Sequence, residues 1–322
     1  MEHILNDLNR MKIIFMGTPD FALPGLDEIF RRGIEIAAVV TRPDRPAGRG
    51  KKLTAPPVKE RGLELGLDVW QPATLKDPGV LDRIKEISPD LFVVSAYGRF
   101  IPDEVLALAR CRGINLHPSL LPSYRGAAPI QWALINGDSQ TGVTIIEVAD
   151  KMDAGDIYGQ RTVDILPDDN AGVLFHRLAE AGGNLLADVV EEIQNGKADP
   201  RPQDESRVTL APRLAKSDGR IDWQNSAMDI NNRIRGLYPW PGAFTTISTL
   251  KETVSLKIIK ARVVPAQGAS PGEVLESDRD TLVVSTGEGS LQLLNVQLEG
   301  KRPLPIADFL RGHPIPSGDI LG

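Results

Sequence analysis

The sequence has few of the residues that build disulfides or metal sites. Its 322 residues include a single cysteine, Cys111, which excludes an internal disulfide and any zinc site built from several cysteines. The histidines at positions 3, 117, 176 and 313 are scattered and form no His-x-x-x-His pair. We therefore expect a protein that binds no metal.

The chain also lacks long apolar runs and an excess of positive charge. No stretch approaches the roughly 18 unbroken apolar residues of a membrane-spanning helix, and the N-terminus has neither the basic start nor the apolar run of a signal peptide. These absences predict a cytoplasmic protein without a membrane partner. A formal net charge of -6 argues against a protein that coats nucleic acid by bulk electrostatics, but it leaves room for a local basic patch.

The chain does contain a regular alternation of strand-like and helix-like segments. Strand-like runs occur at residues 12–17, 34–41, 67–70, 90–96, 113–117 and 141–149, and helix-like stretches at 21–33, 56–66, 78–88 and 102–113. This alternation predicts an α/β fold, a doubly wound and mostly parallel Rossmann-like sheet with helices on both faces. Ligands of such sheets bind at the carboxyl ends of the strands, where we expect the segments "SAYG", "NLHPS" and "DKMDAGD" to lie.

The length favours two domains, and the composition suggests where they divide. Residues 1–10 lack apolar periodicity and precede a second methionine, so we expect a disordered extension and leave open whether Met1 or Met11 is the start. The α/β domain is predicted over 11–196, ending in a long amphipathic helix, and a polar, proline-containing linker over 197–214. Short strands split by turns over 215–322 predict a smaller C-terminal β-barrel of OB-like type.

A polar pair ends the predicted strand at 113–117. Asn115 and His117 are two residues apart, so in an extended strand both side chains project from the same face. Pro118 restricts His117 to extended conformations. An amide and an imidazole donating to one point would stabilise the oxyanion of an acyl-transfer reaction. A structural histidine is the plainer interpretation of such a residue when it stands alone.

A catalytic histidine needs a partner that holds its tautomer and favours its charged form, normally a carboxylate. The run "ADKMDAGDI" offers Asp150, Asp153 and Asp156, and the residues alone do not decide among them. Ser119 and Ser123 make a hydrolytic triad conceivable, but neither lies in a Gly-x-Ser-x-Gly turn.

Longer stretches around these residues resemble a known family. "INLHPSLLPSYRGAAPIQWALINGDSQTGVTI", "KMDAGDI" and "FMGTPDFALPGL" are similar to the signature of the folate-dependent formyltransferases. That family has a catalytic Asn-x-His pair and a catalytic aspartate about 36 residues beyond the histidine, which points by resemblance to Asp153. Many relatives carry Leu-Asp-Thr-Gly-Asp here, whereas this chain has "KMDAGD".

Other stretches resemble the members of the family that act on methionyl-tRNA, namely "TRPDRPAGRGKKLTAPPVK", "RIDWQNSAMDINNRIRGLYPWPGAF" and "PGEVLE". The resemblance implies transfer of the formyl group of 10-formyltetrahydrofolate to the α-amine of methionyl-initiator tRNA, for translation initiation and without a metal. It implies that Asn115 and protonated His117 stabilise the oxyanion while Asp153 keeps His117 charged. It also implies a folate pocket lined by Ala96, Tyr97, Gly98, Ser119, Leu120, Leu121 and Pro122.

A basic segment, "TRPDRPAGRGKK", follows the second predicted strand. It carries five Lys or Arg and one Asp, and its glycines and prolines exclude a helix. Arg45 and Lys52 replace the Gly and Ser or Thr of a phosphate-binding P-loop, which excludes that motif. A solvated loop is the plainer interpretation, but the resemblance implies contact with the tRNA acceptor stem through Arg42, Arg45, Arg49, Lys51 and Lys52. It also assigns the C-terminal barrel to tRNA, with the candidates Lys216, Arg220, Arg233 and Arg235.

Two rival functions are compatible with parts of this pattern. A formyltransferase acting on a small amine would share the Asn-His-Asp set but would not need the basic loop or the barrel. An RNA-binding protein with an inactive first domain would not need an intact Asn-His-Asp set. Nothing in the sequence indicates an obligate dimer, so we expect a monomer.

Overall fold

The computed structural model describes residues 11–47, 50, 52–248, 252–265 and 268–322. The predicted extension at 1–10 therefore lies outside the described residues. The chain forms two compact units, and two short insertions from the first half belong to the second unit. Of the described residues, unit 1 comprises those up to 126, 141–164 and 175–210, and unit 2 comprises 127–140, 165–174 and those from 211 onwards. No helix in the described part of the chain is long and apolar enough to span a membrane.

A seven-stranded sheet organises unit 1. Its strands are β1 (Lys12–Gly17), β2 (Glu35–Val40), β5 (Val69–Trp70), β6 (Leu91–Ser95), β7 (Gly113–His117), β9 (Gln140–Glu147) and β10 (Ile157–Asp164). They lie in the order β10-β9-β7-β6-β1-β2-β5. The pairs β1–β2, β1–β6, β2–β5 and β6–β7 are parallel, which confirms the doubly wound, mostly parallel sheet. β1 and β6 are almost wholly buried, as continuous apolar strands covered on both faces should be.

Helices connect these strands. They are α1 (Leu23–Arg31), α2 (Pro57–Glu64), α3 (Pro78–Ile87), α4 (Asp103–Leu106) and α6 (Ala171–Gln194), the last of which continues from unit 2 into unit 1. Local sequence sets the ends of α3. The Asp77 side chain accepts from the Gly79 N–H at 2.8 Å, Pro78 occupies the first turn, and Ser88 ends the helix in the left-handed region. The helix predicted over 102–113 is wrong in length, because only Asp103–Leu106 is α-helical.

The strand β9 runs against β7, with Glu147 opposite Ile114 and Thr144 opposite His117. We expected the acidic run after β9 to lie at the carboxyl ends of parallel strands. That expectation is wrong in direction, because the end of β9 lies beside the start of β7. The loop after β9 must therefore fold back across β7 for an aspartate to reach His117.

The basic segment forms a small hairpin. β3 (Arg45–Ala47) pairs antiparallel with β4 (Lys52–Thr54), with Ala47 opposite Lys52. No described residue of this segment is helical, as predicted, but the paired strands were not foreseen because three-residue strands leave no periodicity to detect.

Unit 2 is built on a curled antiparallel half-barrel, which confirms the predicted small C-terminal β-domain. Its strands are β12 (Ala243–Ser248), β13 (Thr253–Val264), β14 (Val274–Ser277), β15 (Leu282–Ser285), β16 (Ser290–Leu298) and β17 (Leu304–Pro305). The helices are α5 (Pro129–Ile135), α7 (Ala227–Leu237) and α8 (Ile306–Gly312), and the short strands β8 (Arg125–Gly126) and β11 (Leu210–Ala211) complete the chain. Gly236 lets α5 and α7 approach closely, because a Cβ there would lie 2.8 Å from the Gln131 carbonyl oxygen.

Candidate active site

The carboxyl end of β7 presents the polar pair that the sequence singled out. Asn115 and His117 alternate with Leu116, which is buried on the opposite face of the strand. His117 is 4% exposed, whereas Asn115 is half-buried. Among the described residues the Asn115 side chain has no hydrogen-bond partner, so its amide is available to a ligand.

Both ring nitrogens of His117 face oxygen acceptors. Nε2 lies 3.0 Å from the carbonyl oxygen of Tyr124, and Nδ1 lies 3.5 Å from Oδ1 of Asp153. A neutral imidazole carries one N–H and would leave a lone pair facing one of these oxygens, whereas the imidazolium has an N–H on each nitrogen, one bonded to the Tyr124 carbonyl and the other directed toward the Asp153 carboxylate. The positions of these two oxygens therefore favour the charged imidazolium.

Burial opposes this preference. Loss of hydration is the largest influence and lowers the pKa of His117, while the Asp153 carboxylate and the Tyr124 carbonyl act to raise it. The net result is a lowered pKa of His117, because its ring is almost wholly shielded from solvent. Without Asp153, nothing charged would offset that loss.

Of the three candidate aspartates, Asp153 is the one that contacts the imidazole. Asp150 is exposed and Asp156 follows in the turn that leads to β10. The Asp153 side chain is 14% exposed, and its Oδ2 accepts from the Gly126 N–H at 2.9 Å. Asp153 adopts a φ of 54°, a left-handed conformation that costs a non-glycine residue roughly 1–2 kcal/mol. The residues around it must hold it there.

The segment Ser119–Pro122, predicted to line the folate pocket, is anchored to the sheet by two polar side chains. The Thr144 hydroxyl donates to the Ser119 carbonyl at 2.6 Å and accepts from the Leu121 N–H at 3.1 Å. The Gln160 amide donates to the Leu121 carbonyl at 2.8 Å and to the Thr144 hydroxyl at 3.0 Å. Leu120 is half-buried, and the peptide bond between Leu121 and Pro122 is cis.

The second predicted folate segment, Ala96–Gly98, directly follows β6. Ser95 pairs with Leu116, so this turn lies one strand away from His117. Ala96 and Gly98 are exposed and have positive φ angles of 49° and 75°, while Tyr97 is buried between them. Burial raises the pKa of the Tyr97 phenol. The turn thus offers main-chain groups at the strand end, where ligands of parallel sheets bind.

The predicted tRNA contacts are only partly within the described residues. Arg45 and Lys52 are exposed, and Arg42 is half-buried against Gly98. Arg49 and Lys51 lie outside the described residues. In unit 2, Lys216 and Arg220 are exposed, whereas Arg233 donates to the Asp218 carbonyl and Arg235 to the Asp169 carbonyl and the Asn232 side chain. The last two arginines therefore already serve internal partners.

Sequence reasoning missed several residues around the imidazole. Tyr124 contributes a main-chain carbonyl, which no side-chain motif can reveal, although its φ of 65° marks it as unusual. Thr144 and Gln160 point from neighbouring strands, and Gln203 donates to the Asp153 carbonyl from the predicted linker. Neither β9 nor β10 alternates strictly between apolar and polar residues, so no sequence signal singled out Thr144 or Gln160.

The arrangement is suited to acyl chemistry. A free amide and an imidazole stand on one strand face, and a carboxylate lies beside Nδ1 of the imidazole, so the site is able to stabilise charge that develops on a carbonyl oxygen. In the described ranges, no group of three or more His, Cys, Asp or Glu side chains is placed to hold a metal ion.

Comparison with known proteins places the chain in a family. The model of the formyl transferase family matches residues 11–190, and that of the formyl transferase C-terminal domain matches residues 213–314. The methionyl-tRNA formyltransferase of Caldanaerobacter subterraneus subsp. tengcongensis is 44% identical over 97% of this chain and 100% of its own length. That of Syntrophus aciditrophicus is 46% identical over 97% of this chain and 99% of its own length.

Solved structures share the fold at lower identity. HypX from Aquifex aeolicus, in complex with tetrahydrofolic acid, aligns with a TM-score of 0.62 and 20% identity over 97% of this chain and 51% of that one. An N-formyltransferase from Helicobacter canadensis, in complex with folinic acid and dTDP-3-aminofucose, aligns with a TM-score of 0.65 and 18% identity over 88% and 98%. Because the relatives named above extend over nearly all of this sequence and both family models match it, the chain belongs to the methionyl-tRNA formyltransferase family.

Proposed function

We propose that the chain transfers the formyl group of 10-formyltetrahydrofolate to the α-amine of methionyl-initiator tRNA, as a step of translation initiation. Membership of the family supports the two substrates, and its relatives cover both halves of the chain. The observation that carries the chemistry is the His117 ring held between Tyr124 and Asp153, with an unpaired amide two residues away.

The reaction begins when the uncharged amine of the methionyl ester attacks the formyl carbon, so that the formyl oxygen becomes an oxyanion. The Asn115 amide and the His117 N–H donate to that oxyanion. We assign this role to Nδ1. Its distance of 3.5 Å from Asp153 Oδ1 exceeds the usual 2.7–3.2 Å of an N–H···O hydrogen bond, so the Nδ1 proton is also available to the oxyanion. Nε2 keeps its bond to Tyr124.

Collapse of the intermediate breaks the bond between the formyl carbon and N10 of the folate. The amine must lose a proton and N10 must gain one, so no net proton is consumed. The proton leaves the amine through a water bound to Asp153 and passes on to N10, so that Asp153 stays ionised and keeps His117 charged. The folate lies against the main chain of Ala96–Gly98 and Ser119–Pro122, at the ends of β6 and β7.

The tRNA is bound by the basic hairpin, through Arg42, Arg45, Arg49, Lys51 and Lys52, and by the C-terminal half-barrel. Phosphates attract such a hairpin even on a chain whose net charge is negative. We further propose a catalytic domain at 11–196, a linker at 197–214, a tRNA-binding domain at 215–322, and a cytoplasmic monomer. Light scattering of the purified chain tests the monomer, and cell fractionation tests the compartment.

Formyl transfer from the folate to charged initiator tRNA tests the function directly. Asn115→Ala should lower kcat by about 10²- to 10³-fold, the usual cost of one oxyanion donor, and leave KM for both substrates within a few-fold. Asn184→Ala, which changes an exposed asparagine of α6, is the matched control and should retain full activity. A purified wild-type chain without transfer, or an Asn115→Ala variant at full rate, would contradict the proposal.

Asp153→Asn should change the pH dependence as well as the rate. The carboxylate raises the pKa of His117 against the lowering caused by burial, so its removal lowers that pKa further. Because the charged ring is required, kcat/KM falls as pH rises through this pKa, and in the variant the fall moves to lower pH. The measurement is the kcat/KM profile of both proteins. Profiles that differ by a constant factor at every pH would show that Asp153 does not set the charge of His117.

The basic hairpin should act on tRNA and not on folate. Changing both Arg45 and Lys52 to Gln should raise KM for tRNA and reduce the slope of log KM against log salt by about 2, one for each phosphate that is no longer bound. KM for the folate should not change. Lys85→Gln on α3 is the control for a simple loss of positive charge. An unaltered salt slope in the double variant would show that these two residues do not bind the tRNA.

A further inference from the structure

A glutamine from the predicted linker holds the main chain of the candidate catalytic aspartate. The Gln203 side-chain amide donates to the Asp153 carbonyl at 2.8 Å and to the Gly155 carbonyl at 2.8 Å. It therefore holds two main-chain carbonyls, one on each side of Ala154, in the segment that contains Asp153. Gly155 also packs tightly against the end of β9, since a Cβ at this position would lie 2.0 Å from the Glu147 carbonyl oxygen.

The other end of the same glutamine is bound by an arginine. The Gln203 Oε1 atom accepts from Arg125 Nε at 3.1 Å and from Nη2 at 2.8 Å. Arg125 is buried, with 5% of its side chain exposed, and its charge is balanced by Glu205 at 2.7 Å. Arg125 lowers the pKa of Glu205, so the carboxylate stays charged in the working pH range.

Arg125 belongs to a three-residue segment that contacts both members of the imidazole–carboxylate pair. Its neighbour Tyr124 accepts from His117 Nε2, and its other neighbour, Gly126, donates to Asp153 Oδ2. The N–H groups of Tyr124 and Arg125 donate to the hydroxyl and the carbonyl of Thr209, at 2.8 and 2.9 Å. Residues 203–209 thus hold Tyr124 and Arg125, while Gly126 is bound to Asp153 itself.

These contacts do more than bury surface, because they also fix the position of Asp153. Asp153 has a left-handed backbone that tends to relax, and only a fixed position keeps its carboxylate at 3.5 Å from the ring. Because Coulomb attraction varies inversely with distance, a drift of about 1.5 Å would weaken it by about 30%. The charge state of His117 therefore depends on the main chain of Asp153 staying in place.

We propose that Gln203, aligned by Arg125 and Glu205, is a positioning residue that fixes Asp153 against His117 and so maintains the protonation of His117. This inference rests on the proposed function for its kinetic consequences. It gives the predicted linker an indirect role in the chemistry, through the position of Asp153.

The test uses the full chain and the substitution Gln203→Leu, with Arg207→Gln in the same segment as control. Arg207 is exposed and its side chain makes no hydrogen bond or ion pair among the described residues. Gln203→Leu should lower kcat by about 10- to 100-fold, with KM for both substrates within a few-fold. The alkaline fall of kcat/KM should move to lower pH, as it does in Asp153→Asn. The control should match the wild type.

A double-mutant cycle separates positioning from general destabilisation. If Gln203 acts through Asp153, Gln203→Leu should cost little further activity in the Asp153→Asn background, because residues that act through one contact are not additive. The proposal would be overturned if the activity losses of the two single variants multiplied in the double variant and the pH profile of Gln203→Leu matched that of the wild type. Should Gln203→Leu not fold, Gln203→Met decides by the same criteria, since it is similar in length, uncharged and lacks both donated N–H groups.

A ¹⁵N NMR titration of His117 makes the inference independent of substrate identity. Gln203→Leu should lower the pKa of His117 relative to the wild type, and Arg207→Gln should leave it unchanged. If the chain transferred no formyl group to methionyl-tRNA, the proposed function would fail while this result could still hold. An unchanged pKa in Gln203→Leu would overturn the positioning role whatever the substrate.

Discussion

The site depends on a buried imidazole placed between two oxygen acceptors. A histidine out of solvent tends to lose its proton, and the carboxylate of Asp153 is the charge that works against this loss. The carbonyl of Tyr124 fixes the ring by its other nitrogen. Rotation of the ring, a shift of the carboxylate or entry of water would each weaken the pair, so most of the local structure serves to prevent them.

The fold supplies that rigidity from several distant parts of the sequence. The strand β7 holds Asn115 and His117 with its neighbours β6 and β9, and the loop after β9 folds back over it to bring Asp153 into contact. Left-handed residues occur at Ala96, Tyr124 and Asp153, all in the turns around the site. Strained conformations persist where surrounding structure over-determines them, and such positions cluster at functional sites.

The features of this arrangement that depend on sequence periodicity and residue spacing could be predicted from the sequence. The alternation of strands and helices predicted the parallel sheet, and the i, i+2 spacing placed Asn115 and His117 on one face. Sequence reasoning did not decide among Asp150, Asp153 and Asp156, because a loop has no period, and the choice came from family resemblance. Tyr124 acts through a carbonyl that every residue has, and Gln203 lies in a polar segment, so neither carries a side-chain signal. The reversal of β9 was missed because both strand directions show the same apolar pattern.

In the proposed complex, the formyl oxygen of the folate is bound jointly by the Asn115 amide and the His117 Nδ1 atom. A crystal structure with a non-transferable 10-formyltetrahydrofolate analogue measures this most directly. We predict that the oxygen of the formyl equivalent lies about 3 Å from both nitrogens, with Nε2 still bonded to the Tyr124 carbonyl. An analogue whose oxygen points away from Asn115, or a His117 ring that has turned from Asp153 in the complex, would contradict it.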